Sequence, residues 1–170
     1  MKKFLAPLIA AIALSTGAAF AQSTFQAILD GLQEAPVPNA SPGTGFGTVV
    51  LNAAQTQITV DENWSGLLAP ATLSHIHGPA APGVATGVAF PLAGVPNATA
   101  GAIPQQVFAV TPAQVANLFA GLMYFNVHSS AFPGGEIRGQ ITLVPEPATT
   151  TLFAAGLGLI VWRGWRRKSR

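Results

Sequence analysis

An all-β domain, a sandwich or barrel of antiparallel strands, is the fold class predicted for residues 22–144, and three observations predict it. Charged residues are few there, while glycine, proline, threonine and valine are many. Apolar residues recur in short alternating runs, the period of a half-buried strand. Segments rich in Gly and Pro break up those runs at short spacing, which leaves no room for the crossover helices of a βαβ arrangement.

The first strand is read at Phe25, Ala27 and Leu29, which alternate with Gln26 and Asp30. Seven more are expected at 44–51, 56–61, 71–77, 88–92, 106–110, 122–128 and 136–144. The Gly/Pro-rich stretches 35–43 and 78–83 read as loops within one domain, because the strands on either side need each other's apolar faces. One stretch departs from the two-residue period. Thr111-Pro112-Ala113-Gln114 offers an N-cap, a proline at the first helical position and a Gln three residues after the cap. Val115, Leu118, Phe119 and Leu122 then fall on one helical stripe, with Gly121 to close it, so a short helix is expected across one end of the domain.

Both ends of the chain read as targeting segments. Residues 1–21 run from Lys2 and Lys3 through an apolar stretch to Ala19-Phe20-Ala21. That is the order of a secretory signal peptide, with Ala19 and Ala21 at the small-residue positions a signal peptidase reads. Residues 145–170 begin with Pro145-Glu146-Pro147, continue as an apolar run and end in a basic tail from Arg163 to Arg170. Residues 148–165 as a helix are 18 residues, about 27 Å at ~1.5 Å per residue, close to the ~30 Å hydrocarbon core. A transmembrane helix is therefore expected there. Its basic tail on the cytoplasmic side puts the domain outside the cytoplasm.

The ends also carry most of the positive charge. Seven of the eight Lys and Arg lie in them, leaving Arg138 against Asp30, Glu34, Asp61, Glu62 and Glu136, so residues 22–144 carry −4. A domain with one cation cannot neutralise a phosphate backbone, which excludes nucleic acid as a partner. There is no cysteine, so neither disulfides nor thiolate ligands enter.

All three histidines lie in two short motifs, Ser74-His75-Ile76-His77-Gly78 and Tyr124-Phe125-Asn126-Val127-His128. On a strand His75 and His77 project from one face, about ~7 Å apart, and both can reach one metal ion. If the two strands converge, His128 completes a three-imidazole set. The same histidines could instead hydrogen-bond backbone carbonyls or a carboxylate such as Glu136. Arg138 could bind an anion or pair with Glu136, Asp30 or Glu34.

Pro145-Glu146-Pro147, the spanning run and the arginine-rich tail together resemble the PEP-CTERM sorting signal of Gram-negative bacteria. The resemblance implies an exosortase that acts at this motif, an inner-membrane-anchored precursor, and a final place at the cell surface or in an extracellular matrix with exopolysaccharide. The two histidine motifs, together with residues 30–38 and 132–141, resemble the CHRD domain, first described in chordin. This second resemblance implies an immunoglobulin-like β-sandwich with no established biochemical activity. The order of His-X-His, a later His and Arg138 is also similar to the copper ligands and active-site Arg of Cu/Zn superoxide dismutase. That family's zinc loop, fourth His and cysteine pair are missing here.

Two functions follow as expectations. The first is a non-enzymatic exported module with no cofactor, acting by structure or binding. The second is a copper-binding, superoxide-dismutase-like domain using His75, His77 and His128. Polysaccharide hydrolysis is disfavoured, since Asp61 and Glu62 are adjacent and a strand points them to opposite faces.

Overall fold

The computed structural model describes residues 22–145. Ala19, Ala21, Glu146, Pro147 and the expected membrane-spanning segment lie outside the described residues. Within them no helix is long and apolar enough to cross a membrane.

Ten strands and one α-helix follow in order: β1 (Ser23–Asp30), β2 (Thr44–Leu51), β3 (Gln57–Ser65), β4 (Ala71–His77), β5 (Val88–Leu92), β6 (Gly101–Ala102), β7 (Gln106–Ala109), α1 (Pro112–Phe119), β8 (Tyr124–Ser129), β9 (Ile137–Gln140) and β10 (Thr142–Leu143). They form one antiparallel sheet in the order β5-β4-β8-β9-β1-β2-β3-β6, with β10 on β1 and β7 on β3. The sheet is curled. Strands β3 and β4 are far apart in that order, yet the Ser74 hydroxyl on β4 meets the Glu62 carboxylate on β3. Phe90 of β5 likewise packs on Phe108 of β7, with ring centroids 5.2 Å apart.

Alternation explains why the curl closes on an apolar interior. Phe25, Ala27 and Leu29 of β1, Val49 and Leu51 of β2, Ile58, Val60 and Trp64 of β3, and Phe125 and Val127 of β8 all face one cluster. Gly47 of β2 lets the two layers approach, since a Cβ there would lie 2.5 Å from the Phe125 ring. Among the described residues, those of this core fall between Phe25 and Ile141.

The helix forms as its residues dictate. Thr111 and Gln114 make a reciprocal capping box, Pro112 opens the helix, and Val115 and Leu118 are buried. Gly121 follows with φ 67°, and Phe119 meets Phe25 edge-on at 5.2 Å. Two expectations are corrected. The long strand expected at 136–144 is interrupted at Ile141, whose amide bonds to Met123; β9 pairs with β8, and β10 pairs with β1. β6 was not expected, because Gly-Ala carries no alternation to read.

Candidate metal centre

Strands β4 and β8 are hydrogen-bonded neighbours, so the two histidine motifs converge, the condition on which a three-imidazole set depended. Ile76, on the other face from the histidines, is 1% exposed and belongs to the core. His75, His77 and His128 lie on the outer face of the curl, where the loops at 78–87 and 130–135 cover them. His77 and His128 are each 8% exposed and His75 is half-buried. One nitrogen from each ring falls in a set whose members all lie within 4.8 Å of one another. His75 Nδ1 and His128 Nε2 are 3.1 Å apart.

The covering loops settle which nitrogens are free. His77 Nδ1 lies 2.9 Å from the Thr86 carbonyl, and His128 Nδ1 lies 2.9 Å from the Pro133 carbonyl. A carbonyl only accepts, so each Nδ1 carries the proton and each Nε2 keeps its lone pair. His77 Nε2 is buried and has no hydrogen-bond partner. An orphaned acceptor of this kind costs about 1–3 kcal/mol unless something fills it. Burial also favours the neutral rings. It pushes His75 down to about 4, helped by the neighbouring imidazoles, and lowers His77 and His128 from their ordinary value.

The set fits a transition-metal ion. Metal–imidazole bonds of about 2.0–2.1 Å place ligand nitrogens roughly 3.5 Å apart, so a shift of about an ångström in one ring closes the set. His77 and His128 already have the arrangement usual for metal-ligating histidines, the second nitrogen donating to a carbonyl. Neutral imidazoles with neither thiolate nor carboxylate among the three suit copper.

Arg138 and Glu136, expected as partners of each other or of an anion, find other contacts. Glu136 accepts from the Ser41 hydroxyl and from the Leu68 amide, each at 2.6 Å. Arg138 donates to the Val84 and Ala81 carbonyls at 2.9 and 3.3 Å and to the Gln140 side chain at 3.3 Å. Its guanidinium lies 3.5 Å from the centroid of the Tyr124 ring. Tyr124 in turn stacks on His77, centroids 5.0 Å apart and planes 6° apart. The Thr86 amide donates to the Tyr124 hydroxyl at 3.1 Å. Arg138 thus clamps the loop whose carbonyl orients His77, a role its motif did not suggest. Tyr124 could have been found, since it alternates with Asn126 and His128 on the same strand face.

Beside this cluster lies a groove of about 350 Å³ lined by Gln33, Glu34, Pro36, Pro82, Arg138 and Gln140 among others. Glu34 is buried and accepts from the Asn126 amide at both carboxylate oxygens, at 2.9 and 3.1 Å. Burial pushes Glu34 up to about 7 against the pull of Asn126 and Arg138.

The fold and site together define a small β-rich module with a largely buried three-imidazole cluster. A family model for the CHRD domain matches residues 25–141, and the chain belongs to that family. The PEP-CTERM protein-sorting motif matches residues 143–168, which makes this an exosortase-sorted exported protein. Comparison with curated proteins and with solved structures gives no match.

Proposed function

We propose that this is a non-enzymatic CHRD-domain module that is carried to the cell surface or extracellular matrix and binds one copper ion there through His75, His77 and His128. The observation that carries the reading is the unpartnered, buried lone pair of His77 Nε2 beside two further imidazole nitrogens, with His77 and His128 oriented by carbonyls. His75 would contribute Nδ1, and His77 and His128 would contribute Nε2. Bound copper would supply a Lewis-acidic, one-electron redox centre; the chain's own residues hold and orient the rings and keep them neutral.

A binding role is favoured over superoxide turnover by Arg138. A cation that guides an anion must be reachable, whereas Arg138 is 2% exposed and hydrogen-bonded to loop carbonyls. The immunoglobulin-like sandwich is supported by the curl, which brings β3 and β4 face to face. Anchoring through the C-terminal helix before processing, and association with exopolysaccharide afterwards, rest on the sorting motif. Metal analysis and mass spectrometry of the protein recovered outside the cell test the reading together. Copper at about one per chain and a C-terminus near Pro145 are expected; a metal-free chain that still ends at Arg170 contradicts it.

A further inference from the structure

We propose that Arg138 acts through Tyr124 as a fixed positive charge behind the three histidines and makes the site select copper(I) over copper(II) and zinc(II). The inference rests on the copper reading above and deepens it. Strand order places the parts. β8 lies between β4 and β9, so His77 and Arg138 flank Tyr124 from opposite sides. The result is a layered stack of guanidinium, phenol ring and imidazole, with 3.5 Å from the guanidinium carbon to the ring centroid and 5.0 Å between ring centroids.

Charge accounting gives the selectivity. The three candidate ligands are neutral, so a bound ion keeps its full charge in a site that two of them bury. An arginine stays protonated even when burial disfavours it, and contacts to carbonyls hold this one in place. Two nearby carboxylates are hydrogen-bonded elsewhere and not ion-paired with it. Asp30, opposite Arg138 in the register, caps Gln33 with one oxygen and accepts from the Gln33 side chain with the other. Glu34 is committed to Asn126, and burial favours its protonated form.

At about 10 Å and an effective dielectric of about 20, one guanidinium disfavours each added unit of metal charge by roughly tenfold in affinity. Copper(I) carries one unit, and copper(II) and zinc(II) carry two. Three imidazoles also complete a trigonal copper(I) site, whereas the divalent ions call for further ligands.

The test uses fragment 22–145, which spans the matched CHRD domain and the described core, and compares wild type with Arg138→Met, Arg138→Gln and Arg138→Lys. Copper(I) affinity is read anaerobically by competition with a chromophoric chelator, copper(II) and zinc(II) by competition with an aminocarboxylate, and the copper potential by voltammetry. Near-UV circular dichroism establishes that each variant is folded. The wild type should bind copper(I) most tightly. Loss of the charge should favour copper(II) relative to copper(I) by roughly tenfold, which lowers the potential by about 59 mV, and Lys should restore most of the difference. Should Arg138→Met fail to fold, Arg138→Gln, which keeps a donor for the loop, carries the comparison. Equal changes for all three ions, or a Lys variant that behaves like Met, would mean that Arg138 only braces the loop. Failure of the wild type to bind any of the ions would overturn the copper reading itself.

Discussion

The Nδ1 atom of His77 donates to the carbonyl of Thr86 at 2.9 Å, and this one contact leaves a buried imidazole with its Nε2 lone pair free beside its two neighbours. The Pro133 carbonyl does the same for His128. His75 differs, because its Nδ1 faces the His128 Nε2 lone pair at 3.1 Å and so must carry a proton when no metal is bound.

A tautomer change follows. Without metal all three rings should be protonated at Nδ1; with copper(I), His75 should move its proton to Nε2 while His77 and His128 keep theirs. Long-range ¹H–¹⁵N correlation spectra of the imidazoles at pH 7 report this directly. A His75 ring that keeps Nδ1–H in the copper-loaded protein would exclude Nδ1 as a ligand.

Gly135 should tolerate no side chain. It sits at φ 133°, and a Cβ there would lie 2.5 Å from the Asn126 side chain and 2.8 Å from Glu34. Gly135→Ala should destabilise the domain by about 1–3 kcal/mol and displace the Pro133 carbonyl from His128. Urea denaturation measures the first effect, and copper affinity measures the second. Unchanged stability would show that the loop relaxes freely.

Glu62 makes the metal-free domain weaker in mild alkali. The Ser74 hydroxyl has one proton and two acceptors, the Glu62 carboxylate and the Asn126 carbonyl at 3.3 Å. A protonated Glu62 resolves the conflict by donating to Ser74. Burial pushes Glu62 up to about 8 from the 4.5 of an unfolded chain. Between those values the unfolded state releases a proton that the folded state keeps, so stability falls as pH rises, by about 1.4 kcal/mol per unit, and levels off above 8. Glu34 adds to the decline up to about 7. His75 has the opposite sign: folded near 4 against 6.5 unfolded, it loses stability as pH drops through that window. Glu62→Gln should therefore flatten the decline between pH 6.5 and 8 and leave the acid limb in place, as thermal melting across pH would show. An equal slope in the variant would assign the decline elsewhere.

Much of this was legible in the residues, and what was not has a physical reason. Alternation located β2, β4 and β5 to the residue, and the capping box located α1, because local pattern and tertiary burial agree in those elements. His75 and His77 could be placed on one face by the same period, with convergence on His128 left to the pairing of β4 with β8. The partners of Arg138 were not legible. Carbonyls of the 78–87 loop have no signature in sequence, and an arginine near carboxylates reads most simply as an ion pair. Glu62 was read only as pointing away from Asp61. That it shares the inward face of Ile58, Val60 and Trp64 follows from the two-residue period of β3 and could have been read; only its partner Ser74 depends on the curl.

Copper titration of fragment 22–145, wild type beside His77→Ala, tests the central claim most directly. The wild type should take up one copper ion per domain, and the variant, lacking the Nε2 atom that has no other partner, should lose stoichiometric uptake. A wild type that binds no copper, or a His77→Ala variant that binds as well as the wild type, would contradict the account.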